Sequence, residues 1–174
     1  MIPASRAVSM CARCANRRIL VVSLGNPAIE SDSIAYRVVE SLPDLPFLRK
    51  YHLFADPLSI SAVYDGEDII VVVDVCNGNE IVVLEERDLY RVEEKGISPH
   101  VVGICSAFEI LKMVYRRISM ARKIFVFLPS SRVDDESVSR FLSVLMDLLK
   151  RLKKNLSTYI DPSENKQGSN QHYS

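Results

Sequence analysis

The chain has 174 residues, of which 48% are hydrophobic and 25% are charged, and its 22 basic side chains are balanced by 22 acidic ones. This size allows one substantial core but not two comfortable domains. Zero net charge argues against a nucleic-acid binder, and the high hydrophobic fraction argues against disorder in the body of the chain. No apolar run approaches the roughly 20 residues that span a bilayer, and no secretory signal is recognisable. We therefore expect a soluble, cytoplasmic, single-domain protein. We also expect it to be a monomer.

The chain is predicted to divide into three segments. Residues 1–17 form a flexible, Arg-containing leader, 18–156 form a single α/β domain, and 157–174 form a polar, disordered tail. The leader carries Cys11 and Cys14 at C-x-x-C spacing, but a second such pair is absent. An incidental pair is therefore favoured over a zinc or redox site.

Short β-branched runs alternate with segments of helical periodicity along the chain. The patterns predict strands at 18–24, 51–55, 68–73, 80–85 and 123–128. They predict helices at 32–42, 57–64, 98–114 and 134–154, with 86–97 as an exposed connection. This alternation predicts a three-layer α/β/α sandwich around a largely parallel, twisted sheet of about five strands.

Three polar residues fall where such a sheet binds ligands, outside the carboxyl ends of its strands. Asp32 follows the first strand at a helix start, Asp74 ends the central strand, and His100 opens a later helix. Asp32 alone is explained as a helix cap, and His100 alone as a surface residue. Asp74 is harder to explain, because an acid after a buried apolar run is costly unless it is paired, bound or in a cleft. Together they are plausible ligands of a transition metal with open positions.

The sequence does not support a nucleotide-binding site or a serine-hydrolase site. The chain has no Gly-rich phosphate loop of the G-x-G-x-x-G or G-x-x-x-x-G-K-[ST] type and no G-x-S-x-G nucleophile elbow. His52 and His172 have no acidic or thiol partner at useful spacing, so no role is predicted for them. Cys76 and Cys105 are interpreted as small buried hydrophobes.

Three segments resemble the hydrogenase maturation endopeptidases, which trim the C-terminus of the nickel–iron hydrogenase large subunit. They are RILVVSLGNPAIESDSIAYRVVESL, DIIVVVDVCNG and SPHVVGICSAFEIL, in this order. The resemblance implies that Asp32, Asp74 and His100 are both the catalytic and the metal-contacting residues, with no separate cofactor-binding residue. The metal is nickel, presented by the precursor large subunit, which is the implied partner; neither nucleic acid nor membrane is implied.

The chain departs from the family pattern at the helix start. Ser31 stands where the family has a first acid, and Ala35 and Tyr36 stand where a glycine is common. Glu30 lies close to Ser31 in sequence, but its side chain would point in a different direction from that of a residue at the helix start. These differences keep open an alternative, a divergent binding or chaperone-like relative that recognises the nickel-loaded precursor without cleaving it. A third reading is a metal-independent hydrolase of small amides.

Overall fold

The structure of the protein is a computed structural model, and it describes residues 18–54, 56–93, 101–130 and 134–158. His100, Cys11, Cys14 and His172 lie outside these residues, as do the predicted leader and the tail beyond residue 158. The strands are β1 Ile19–Ser23, β2 Leu48–His52, β3 Ile69–Cys76, β4 Val82–Glu85 and β5 Arg122–Pro129. The helices are α1 Ser33–Glu40, α2 Ile60–Val63, α3 Glu86–Glu93, α4 Val101–Val114, α5 Arg116–Met120 and α6 Asp135–Thr158.

The five strands form one sheet in the order β2-β1-β3-β5-β4. Pairing is parallel except at the edge, where β4 runs antiparallel to β5. All residues of β1 and β3 are buried, because a strand covered by helices on both faces must be apolar on both faces. The predicted α/β sandwich around a largely parallel sheet is confirmed.

Alternate side chains of the strands pack into two separate hydrophobic cores, one on each face of the sheet. One core lies between the sheet and helices α1 and α6, and contains Val21, Val71, Val73, Val126, Ile34, Val38, Phe141 and Leu145. The other lies between the sheet and helix α4, with contributions from α2, α3 and α5, and contains Leu24, Val72, Phe125, Phe127, Ile60, Leu89, Ile104, Phe108 and Ile118. Successive residues of β3 therefore point alternately into one core and the other.

Two predicted elements differ in the structure. The second strand is Leu48–His52 instead of 51–55, and the predicted connection at 86–97 contains helix α3. The prediction of an exposed connection was wrong for Glu86–Glu93, because a helix forms there and contributes the buried Leu89 to the core, although most residues of the helix are charged. Among the described residues, no helix combines the length and apolar character needed to cross a bilayer.

Candidate active site

Asp32 lies in the loop between β1 and α1, at the carboxyl edge of the sheet. A 3₁₀ turn, Glu30–Asp32, precedes the helix, and the Asp32 side chain makes no capping hydrogen bond to α1. Instead its Oδ2 accepts a hydrogen bond from the backbone N–H of Asn26. The capping explanation is therefore wrong. The carboxylate is folded back onto the turn that ends β1, and it stays partly exposed.

Gly25 makes this arrangement possible. Its φ of +120° is a conformation that residues with a side chain rarely adopt, and a Cβ built on it would lie 2.6 Å from the carbonyl oxygen of Asp32 and 3.1 Å from its Oδ1. Gly25 N–H also donates to the carbonyl of Phe54 at 2.6 Å. The turn after β1 is thus packed against the loop after β2 on one side and against Asp32 on the other.

Asp74 lies on the neighbouring strand, at the same edge. β3 continues to Cys76, so Asp74 is within the strand and not at its end as the sequence suggested. It comes directly after Val73, whose carbonyl accepts the N–H of Leu24 at 2.8 Å, and it is in register with Phe127 of β5. Its exposed fraction is 0%. Burying a carboxylate costs free energy unless polar partners or a bound group stabilise its charge.

The face of the sheet on which Asp74 lies follows from the alternation of side chains along β3. Val72 and Cys76, which lie two residues before and after it, both belong to the core under α4. Helix α4 begins at Val101, so His100 directly precedes it in sequence. The structure thus brings Asp32, in the loop after β1, and Asp74, on the adjacent strand β3, to one edge of the sheet, whereas His100 lies outside the described residues.

Carboxylate oxygens and an imidazole form a donor set that suits nickel and other transition metals. Within the described ranges, no three His, Cys, Asp or Glu side chains are gathered as a metal site. Two of the three predicted ligands are described, and these two lie on the same sheet edge.

His52 has partners that the sequence did not reveal. Its Nδ1 is 2.7 Å from Ser23 Oγ and its Nε2 is 2.9 Å from Glu40 Oε2, so the prediction that it lacks an acidic partner was wrong. Because a carboxylate only accepts, Nε2 donates to Glu40, and in the neutral ring Ser23 then donates to Nδ1. Ser23 and His52 are register partners on β1 and β2. Only that pairing, which is invisible in one sequence, could have signalled the contact.

This chain of contacts contains the residue types of a serine-hydrolase triad but not its working geometry. The serine contacts Nδ1 and the acid contacts Nε2, the reverse of the usual order. Ser23 is 2% exposed, and the adjacent N–H groups of Leu24 and Gly25 are bonded to Val73 and Phe54. The site thus lacks an accessible nucleophile and free N–H donors next to it for an oxyanion. The contacts hold β1, β2 and α1 together.

Glu40→Gln should remove an acid-sensitive contribution to stability. The hydrogen bond from His52 lowers the pKa of Glu40, so Glu40 stabilises the fold above its unfolded-state pKa and loses this effect as pH falls through the folded-state pKa. We expect the variant to be less stable than the wild type at pH 6, with a smaller difference at pH 3. Urea unfolding at both pH values measures this. In a His52→Ala background, Glu40→Gln should have little effect at either pH; a full-sized effect there would contradict the assignment.

Cys76 does not supply a nucleophile at this edge. Burial raises the pKa of its thiol, and the charge of Asp74 acts in the same direction, while a backbone hydrogen bond from Gly78 opposes the rise. The thiol therefore stays protonated near neutral pH, and a protonated thiol is a poor nucleophile. Among the groups described at the edge, the two carboxylates are the candidates for proton transfer or metal contact.

No protein-family model and no curated protein matches the sequence. Solved structures do match. The nickel–iron hydrogenase maturation protease HybD from Thermococcus kodakarensis is 18% identical, with a TM-score of 0.66 over 78% of this chain and 98% of that one. The hydrogenase maturating endopeptidase HybD from E. coli is 17% identical, with a TM-score of 0.59 over 79% of this chain and 93% of that one. At these identities the likeness establishes the architecture: the chain has the α/β fold of the hydrogenase maturation proteases.

Proposed function

We propose that the chain is an endopeptidase that removes a C-terminal peptide from the precursor large subunit of a nickel–iron hydrogenase. The observation that carries the proposal is the wholly buried Asp74 carboxylate, which lies at the same ligand-binding edge of the sheet as Asp32, in a fold shared with maturation proteases. In this proposal the protein acts as a cytoplasmic monomer.

Nickel belongs to the substrate in this proposal. Asp32, Asp74 and His100 would contact the nickel already inserted in the precursor, which makes metal insertion the signal for cleavage. Two carboxylates and one imidazole leave coordination positions for the precursor's own ligands. Nickel would polarise the scissile carbonyl or lower the pKa of a water molecule.

Water attack is the chemistry that the described residues favour. A carboxylate accepts a proton from the attacking water, and the oxygen of that water bonds to the carbonyl carbon. The C–N bond then breaks as the leaving amine takes up a proton. Asp32 is the better placed of the two acids for this proton transfer, because it is partly exposed whereas Asp74 is buried. Asp74 would then serve mainly as a metal contact.

The experiment compares wild-type protein with His100→Ala on nickel-loaded precursor, following the precursor's C-terminus by mass and its binding by pull-down. Cleavage by the wild type and its loss in the variant, with binding retained, supports the proposal. Binding without cleavage by the wild type would instead support the non-cleaving relative that the changed residue Ser31 keeps open.

A further inference from the structure

Three large apolar side chains are exposed in the segments that follow β1 and β2 at the carboxyl edge. Ile29 is 51% exposed, Phe54 59% and Leu58 40%. Ile29 accepts the N–H of Asp32 through its carbonyl, and Phe54 accepts the N–H of Gly25, the residue against which Asp32 packs. We call Ile29, Phe54 and Leu58 the edge patch. An apolar patch next to a candidate site is typical of a protein-binding surface.

Phe54 is also held in an unusual backbone conformation. Its φ is +49°, which is uncommon for a bulky residue and carries a cost in free energy. The 2.6 Å hydrogen bond from Gly25 to its carbonyl fixes that conformation. The aromatic ring is consequently presented to solvent by a loop that is anchored to the turn of the candidate site.

In the loops that follow β1, β2 and β3, every Asp, Glu, Lys or Arg side chain is acidic. The loops that follow β1, β2 and β3 contain no Lys or Arg; indeed, no basic residue of these types occurs at 19–36 or 51–86. The same loops carry Glu30, Asp32, Asp56 and Glu80, and three of these acids are exposed. A partner with complementary charge must therefore be basic as well as apolar.

We propose that the edge patch and its acidic rim form the docking surface for a basic, apolar segment of the precursor large subunit. This proposal rests on the proposed function, since it names the surface by which the same site would hold its substrate. Apolar side chains of the segment pack on Ile29 and Phe54, and its basic side chains face Glu30 and Asp56. Docking there places the chain of the precursor next to Asp32.

The test measures binding of nickel-loaded precursor by biolayer interferometry at 50 and 300 mM salt, and cleavage separately. Phe54→Ala and Ile29→Ala should each weaken binding about tenfold. Glu30→Lys should slow association and reduce its dependence on salt. Thermal unfolding of each variant excludes loss of fold as the cause.

Matched controls lie on the opposite side of the molecule. Met113, near the end of α4, is 85% exposed, and Asp44 is exposed in the loop that leads into β2. Met113→Ala and Asp44→Lys should change neither affinity nor association rate by more than about twofold. Equal effects at edge and control positions, or wild-type binding by the edge variants, would overturn the docking surface. Salt-sensitive binding by the wild type without cleavage would support docking and refute the endopeptidase.

Discussion

Asp74→Asn is expected to lower the rate of precursor cleavage by at least about 100-fold, because replacing even a group that acts on a metal site indirectly typically costs about 10- to 100-fold in affinity or activity. Asn has nearly the same shape, so packing at this buried position, which is in register with Phe127 of β5, should be preserved. The variant removes the negative charge, which weakens metal contact. Single-turnover cleavage followed by mass spectrometry gives the rate, and circular dichroism checks the fold.

Asp44→Asn provides the control, because Asp44 is exposed and precedes β2 at the opposite edge of the sheet. It should cleave at the wild-type rate. If Asp74→Asn retained more than about a tenth of wild-type activity while folded, the buried carboxylate would have no role in the reaction and the assignment of the site would fall.

Gly25→Ala should damage both stability and activity. A methyl group at Gly25 would lie 2.6 Å from the Asp32 carbonyl, and the φ of +120° disfavours any side chain. Backbone strain alone costs about 1–3 kcal/mol, and moving Asp32 away lowers cleavage by about 100-fold, since a displacement of 1 Å can have that effect. Urea unfolding and the same cleavage assay measure the two consequences.

Gly103→Ala is the matched substitution. Gly103 lies in α4 with nothing within 4 Å of an added Cβ, so alanine should stabilise the helix by about 0.5–1 kcal/mol. Cleavage should be unaffected. A Gly25→Ala variant that was as stable and active as Gly103→Ala would show that the close packing of the turn on Asp32 has no functional importance.

The sequence predicted those parts of the fold that depend on unbroken apolar runs. β1, β3 and β5 carry such runs because they are covered on both faces. β2 was misplaced by three residues since it is an edge strand in which Arg49 and Lys50 replace apolar residues. Lys50 instead donates to the carbonyls of Glu40 and Leu42 at the end of α1. Such tertiary hydrogen bonds leave no pattern in a single sequence.

The candidate site was predictable in location but not in detail. Strand ends and an isolated acid indicated Asp32 and Asp74 at one edge, and the structure has both there. It was not predictable that β3 runs on to Cys76 and buries Asp74, because that extension depends on pairing with β5 as far as Pro129. The same holds for the contact of His52 with Ser23 and Glu40, which joins three elements that are distant in sequence.

Selective processing of nickel-loaded precursor is the most direct test of the central claim. Nickel-loaded and nickel-free forms of the precursor large subunit are each incubated with the wild-type protein, and the C-terminus is followed by mass. We predict that the loaded form loses its C-terminal peptide and the nickel-free form stays intact. Cleavage of both forms at equal rates would contradict a role for nickel as the signal, and cleavage of neither would contradict the endopeptidase itself.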